Sequence, residues 1–541
     1  MTQSFSVSGN IVDVREQRVF PGTVHVRDGR IASIEPGGGP YATHLMPGFI
    51  DAHVHVESSM LVPAEFARMA APRGTVATVS DPHEIANVLG VAGVEYMLAG
   101  AVDCGVKIHF GAPSCVPATG FETAGAVMGP EQVKALLSRP EIRYLSEMMN
   151  WPGVLFGDPG VRAKIAAAHE LGKPIDGHAP GVVDDNAKRY ASAGITTDHE
   201  CVSRAEAIDK IMAGMKILIR EGSAAKNFDA LHLLIDAYPD RVMFCTDDMH
   251  PDRLRIGQID ILVRRAIELG HGLFNVLRAA CLNPILHYGL DVGTLRVGDP
   301  ADFIEVDDLK YFGVLRTWVD GKLTAEKGKP TRARRPATEP NQFGASPKNV
   351  SDFAHSASKG DLHVIGAIDG QIVTEHLRMP ATVKGGRAVQ DPSRDLLKIA
   401  VVNRYSNAAP AVAFIHGFGL SRGALAATVA HDSHNIVAVG AGDEDLCAAV
   451  NALVACKGGL AAVSGSQREV LPLPVAGLMT TADGWETAVA YEKLNAAVAA
   501  WGCKLGAPFM TLSFMALLVI PSLKLSDKGL FDGSTFTFVA V

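Results

Sequence analysis

The stretch "MPGFIDAHVHVESSM", residues 46–60, puts His53 and His55 one residue apart, just after an apolar run closed by Asp51. With 19 histidines in 541 positions, chance alone supplies roughly 0.7 of such a pair, so the spacing by itself decides nothing. Its setting says more. In a strand, residues i and i+2 face the same side, so both imidazoles would leave one strand end together and could chelate one cation at roughly 2 Å. Asp51 shares that face one step deeper.

Working outward, residues 45–288 alternate short apolar runs ("TVATVSD", "VKIHFGA") with helical stretches ("GPEQVKALLSR", "PGVRAKIAAAHELG"), the texture of parallel βα units. About eight run ends carry polar residues, near His53, Asp81, Ala112, Glu147, His178, His199, residues 216–219 and Asp247. Eight units predict a closed (β/α)8 barrel whose reactive groups sit at the C-terminal strand ends. Residues 1–44 and 289–326 read instead as short alternating strands with Gly and Asp turns, a pattern that predicts one composite β-sandwich domain shared by both flanks. Residues 327–349, rich in Pro, Lys and Arg, read as a solvated linker. Residues 350–541 mix strands and helices as a separate C-terminal α/β domain.

The net charge of -8, without a dense basic run, argues against a nucleic-acid or anionic-membrane partner and for a small molecule. Eight scattered cysteines without CxxC pairs fit reduced thiols and a cytoplasmic protein. No basic segment followed by an apolar core opens the chain, and "FMTLSFMALLVI", residues 509–520, is too short to span a bilayer.

Later strand ends offer further ligands: Glu147 in "YLSEMMNWPG", His178 in "IDGHAPG", His199 in "TTDHECVS" and Asp247 in "MFCTDDMHP". A lone strand-end histidine is usually a structural hydrogen-bonder. Four imidazoles and two carboxylates converging on one rim would leave costly unpaired groups unless cations bound them.

These motifs resemble the amidohydrolase superfamily. More narrowly, "MPGFIDAHVHVESSM", "DPHEIANVLG", "SCVPATGFETAGA", "DGHAPG", "DHECVS", "REGSAAKN", "CTDDMHP" and, far downstream, "AHDSHNIVAVG" and "PFMTLSFMALLVIPSLKLSDKGLFD" resemble the bacterial adenine deaminases over nearly the whole chain. Gly120 and Gln258 stand where Pro and His are more usual in that family; neither is an expected ligand. The resemblance implies a binuclear centre in which His53, His55 and Asp247 hold one cation, His178 and His199 the second, and Glu147 bridges. It favours manganese or iron, and an all-nitrogen-and-oxygen ligand set also suits zinc. It further implies hydrolysis of adenine to hypoxanthine and ammonia, by a hydroxide generated at the metals and aimed at C6; a homo-oligomer, such as a homodimer, is a separate expectation. The alternatives are a related amidohydrolase acting on another aminopurine or a cyclic amide, and a catalytically silent scaffold, which would have damaged ligands.

For proton transfer, Asp247 is expected to use an oxygen left free by the metal, Glu84 to protonate the ring nitrogen, and Asp248 to orient the relay or bind the base edge. Each has a structural alternative: Glu84 as a helix-start acid, Asp248 as a solvated loop acid. Glu57, Ser58 and Ser59 could line the purine pocket, or the serines could cap the next helix. Ser223 and Lys226 could face substrate or order their loop, and His83 could face the site or cap a loop. Cys245 reads as barrel filling. His431, Asp432, His434 and Asn435 could bind a metal, close over the mouth with His434 on the substrate, or form a loop held by Asx turns.

Overall fold

The computed structural model describes residues 4–357 and 360–539; the remaining few residues of the expected flank and C-terminal domain lie outside the described residues. The eight run ends become eight parallel strands: Phe49–Val54, Thr75–Ser80, Lys107–Ala112, Ile142–Met148, Ile175–Gly177, Thr197–Asp198, Lys216–Arg220 and Val242–Cys245. The first five pair in sequence order, as do the last three. Thr196 N donates to Ile175 O at 2.9 Å between the two groups. The ring closes where Asp247 N donates to His53 O at 2.9 Å and His55 N donates to Asp247 O at 3.2 Å. Strands such as "TVATVS" are buried on both faces, as helix-covered parallel strands must be. Closure brings all eight C-terminal ends to one rim. A close approach explains Gly177: a Cβ there would meet Thr197 O at 2.4 Å, pushing apart the strands that present His178 and His199.

The flanks join in one eight-stranded sheet. Ser4–Asp13, Arg18–Arg27, Arg30–Pro36 and His44–Pro47 come from the N-terminal side, and Phe303–Val306, Val314–Val319, Lys322–Glu326 and Lys329–Pro330 from the far side of the barrel. His44–Pro47 pairs with Phe303–Val306 at the junction. The sheet rolls over its own core of Val24, Leu45, Phe303 and Trp318. Arg30 bridges to Pro300, although Arg30–Pro36 stands four strand positions from Phe303–Val306, which would be roughly 19 Å away in a flat sheet.

Residues 331–349 carry no extended strand and are strapped to the barrel: Arg332 Nη2 lies 2.9 Å from Asp103 Oδ1, and Tyr96 Oη donates to Thr338 O at 2.9 Å. The C-terminal domain is built on a second eight-stranded sheet, antiparallel except where Asp361–Ala367 pairs with Ala411–His416, so the parallel βα rhythm does not recur there. Helix Gly484–Ala500, capped by Asp483 accepting from Trp485 N and Glu486 N, reaches the barrel rim, where His250 Nδ1 lies 2.6 Å from Tyr491 Oη. Helix Pro508–Ser513 and the turn after it bury the apolar run. Among the described residues no helix is long and apolar enough to cross a membrane.

Candidate metal centre

The rim brings all six expected ligands together, each buried. Asp247 Oδ1 lies 3.3 Å from His53 Nε2 and 3.2 Å from His55 Nε2. Across the mouth, Glu147 Oε2 lies 2.7 Å from His178 Nδ1 and 3.2 Å from His199 Nε2. Its other oxygen, Oε1, lies 3.2 Å from His55 Nε2. Glu147 thus faces two separate imidazole groups with one oxygen each. His55 Nδ1 sits 3.1 Å from Asp81 O, a contact that leaves Nε2 free to ligate.

The donor set fits a divalent cation. His53 Nε2 and His199 Nε2 are buried in the group without a hydrogen-bond partner, an arrangement that costs free energy unless a further group binds them. Burial works to raise the Glu147 carboxyl, but His178, His199 and His55 outweigh it and hold the group well below the usual carboxylate range. Asp247 is treated alike: burial is overcome by Arg220, then by His53 and His55. Both are therefore anions ready to ligate.

Residues 44–324 match the amidohydrolase family and residues 371–537 match the adenine deaminase C-terminal domain. The chain is 57% identical to an adenine deaminase of Salinibacter ruber over 100% of this chain and 99% of the relative. It is 54% identical to one of Sulfurovum sp. (98% and 99% covered) and 52% identical to one of Methanosarcina barkeri (98% of each). The chain belongs to the adenine deaminase family. As a member of the amidohydrolase superfamily it is a hydrolase, and the buried His, Asp and Glu cluster is where a divalent metal fits.

Two residues of this adenine deaminase family member escaped sequence reading. Arg220, at the end of the seventh strand, bonds Glu200 through both terminal nitrogens and places Nη1 2.6 Å from Asp247 Oδ2. Glu200 Oε1 lies 3.3 Å from His199 Nε2 and 3.5 Å from His178 Nδ1. Both lie in the strand-end motifs DHECVS and REGSAAKN, where the signal is an Arg and a Glu at strand ends beside ligands. The Asp247 oxygen expected to serve proton transfer is the one that the guanidinium bonds.

Glu84 lines the cleft over the ligands and faces three imidazoles. Although burial favours protonation, His431, His83 and His434 hold it well below the carboxylate range. Asp248 differs: burial pushes its carboxyl up, His431 opposes, and the adjacent Asp247 charge adds to the rise. Asp248 lines the cleft over the ligands, with His83, Met149, Ile372, His431 and Phe514, and Ser58 Oγ donates to its Oδ1 at 2.5 Å.

The other expected substrate contacts do not reach that cleft. The tight turn Val56–Ser59 sends Glu57 Oε1 to accept from Ile85 N at 3.3 Å and Ser59 Oγ to donate to Val56 O at 2.6 Å. Ser223 Oγ accepts from His250 N at 2.8 Å and lines a separate cavity with Lys226 and Asn495. His434 is buried behind Glu84, to which its Nε2 hydrogen-bonds. Gln258, the departure from the family pattern, donates Nε2 to Asp51 Oδ2 at 2.9 Å, supporting the strand beneath His53. Cys245 is buried in the barrel core.

Proposed function

We propose that the protein is a metal-dependent adenine deaminase that converts adenine and water to hypoxanthine and ammonia at a binuclear centre, with manganese the favoured metal. The observation that carries the reading is Glu147, whose two oxygens face two distinct imidazole groups, in a chain whose relatives of 52–57% identity are adenine deaminases. His53, His55 and Asp247 would hold one cation, His178 and His199 the other, with Glu147 between them. When bound, such a pair lowers the pKa of water so that a nucleophile is available near neutrality.

The chain's own residues supply the rest. Met149, Ile372, Phe514 and Leu517 give the cleft apolar walls that receive a flat base and exclude bulk water. Arg220 keeps Asp247 ionised and oriented. Asp248, fixed through Oδ1 by Ser58, accepts at Oδ2 the proton that water gives up and passes it to the ring nitrogen beside C6. The second proton, from the new C6 hydroxyl, returns by the same carboxylate to the departing amine. A C–O bond forms, a C–N bond breaks, and ammonia leaves.

The test is ammonia release from adenine after stepwise return of Mn²⁺ to metal-stripped protein, with bound metal measured on the same samples. Turnover that requires at least two cations per chain supports the proposal. Metal uptake without turnover would remove adenine, leave a hydrolase, and direct the assay to other aminopurines and cyclic amides.

A further inference from the structure

Strand Leu523–Ser526 of the C-terminal domain carries Lys524, whose side chain is fully buried. The strand neighbours Leu523 and Leu525 belong to the main apolar core, together with Ile372 and Phe514. No charged neighbour offsets the burial that lowers the pKa of the amine. Taking an amine out of water is costly unless its hydrogen bonds are replaced, and an apolar stem of the same length would fill the same space. What Lys524 adds is its N–H groups.

Both bonds made by Nζ run to the walls of the cleft. It donates to Ile372 O at 2.6 Å and to Phe514 O at 3.0 Å. Ile372 and Phe514 line the cleft over the barrel ligands, and Lys524 stands behind them. Neighbouring bonds tie the same strand to the Ile372 segment: Thr374 Oγ1 donates to Leu523 O at 2.8 Å and Thr374 N to Pro521 O at 3.1 Å. Lys524 extends that link to Phe514, which opens the tight turn Phe514–Ala516.

A planar peptide held at its carbonyl fixes the Cα beside it, and with it the direction in which the side chain leaves. The Phe514 ring in turn stacks on His431, with centroids 5.3 Å apart and planes 25° apart. One buried amine therefore sets two cleft walls that come from segments far apart in the chain.

We propose that Lys524 is a positioning residue for substrate: from outside the cleft it fixes where Ile372 and Phe514 meet the base. The role of the base rests on the function proposed above; the placing of the two walls does not.

Full-length wild type and Lys524→Met are loaded with Mn²⁺, and bound metal, kinetics on adenine and inhibition by hypoxanthine are measured on the same samples. Apolar walls touch the base alike before and during reaction. The expected result is that KM and the hypoxanthine Ki rise together by about tenfold, with kcat and metal content those of the wild type. Unchanged KM and Ki, whatever happens to kcat, would overturn the proposal, because a merely less stable protein loses active molecules without losing affinity. Should Lys524→Met fail to fold, Lys524→Gln, whose two N–H groups fall one bond short, takes its place and is read the same way. Wild-type protein inactive on adenine would sink the substrate reading instead, and crystal structures of wild type and variant then decide. Ile372 and Phe514 displaced over superimposed barrel ligands would uphold the role of Lys524, and walls that stay in place would end it.

Discussion

Arg220→Met keeps an unbranched stem in place and removes the guanidinium that two buried carboxylates share. The side chain is 3% exposed, and its terminal nitrogens contact both Glu200 oxygens and Asp247 Oδ2. Stranding one partner of a buried ion pair costs about 3–5 kcal/mol. With an unfolding entropy of roughly 2.1 cal/mol/K per residue over the barrel, that becomes a Tm lower by roughly 6–10 °C. The loss should depend on pH. In the wild type Arg220 leads the opposition to burial at Glu200 and keeps its carboxyl far below the usual range; Asp247 is held down likewise. Neither takes up protons between pH 7.5 and 5.5. In the variant burial is opposed only by the neighbouring histidines, and both folded-state pKa values rise. Protonation then restores stability as pH falls through them, by up to about 1.4 kcal/mol per pH unit for each group. Calorimetry in saturating Mn²⁺ should find a large Tm gap at pH 7.5 that narrows at pH 5.5. A gap under about 2 °C, or one indifferent to pH, would refute the pairing argument.

His53→Asn and Asp247→Asn should each lose bound metal and turnover while the far-ultraviolet circular dichroism stays that of the wild type; near-normal turnover in either would remove that residue from the ligand set. Asp248→Asn should retain metal and lower kcat by about 10²–10⁴-fold in steady-state assays, whereas a change in KM alone would limit Asp248 to binding the base. Lys524 is fully buried, donates to Ile372 O at 2.6 Å and Phe514 O at 3.0 Å, and burial lowers its pKa to about 7. The unfolded chain holds a proton there up to about pH 10.4, so Lys524 makes stability rise as pH increases from 7 toward 10. Lys524→Met should flatten that rise in Tm between pH 7 and 9.5, and an unchanged slope would contradict the neutral-amine assignment.

What could be read from the sequence followed the range of the interactions. His53 and His55 are two apart on one strand, so local geometry alone aims them together, and the barrel follows from the repeated exchange of apolar runs and helices. Glu200 and Arg220 were passed over because each looks ordinary in its own motif; they acquire meaning only when adjacent strands bring them within bonding distance. Ser58 and Ser59 show the limit of residue-level reading. Neighbours in sequence, they diverge at a tight turn, one toward Asp248 and the other into its own backbone. The antiparallel C-terminal sheet was hidden for a related reason: short apolar strands look alike whichever way their partners run.

The hydrogen bond between Glu84 and His434 spans 350 positions of chain, and Ile372 and Phe514, both far beyond the barrel in sequence, complete the cleft. During synthesis the barrel leaves the ribosome long before the segment that roofs it. A nascent or prematurely ended chain could then gather its barrel ligands while Glu84 lacks its partner histidines and the cleft stands open to water. Competence should therefore arrive late and abruptly, as the final quarter of the polypeptide emerges, and fragments left by truncation would be poor catalysts even with an intact barrel.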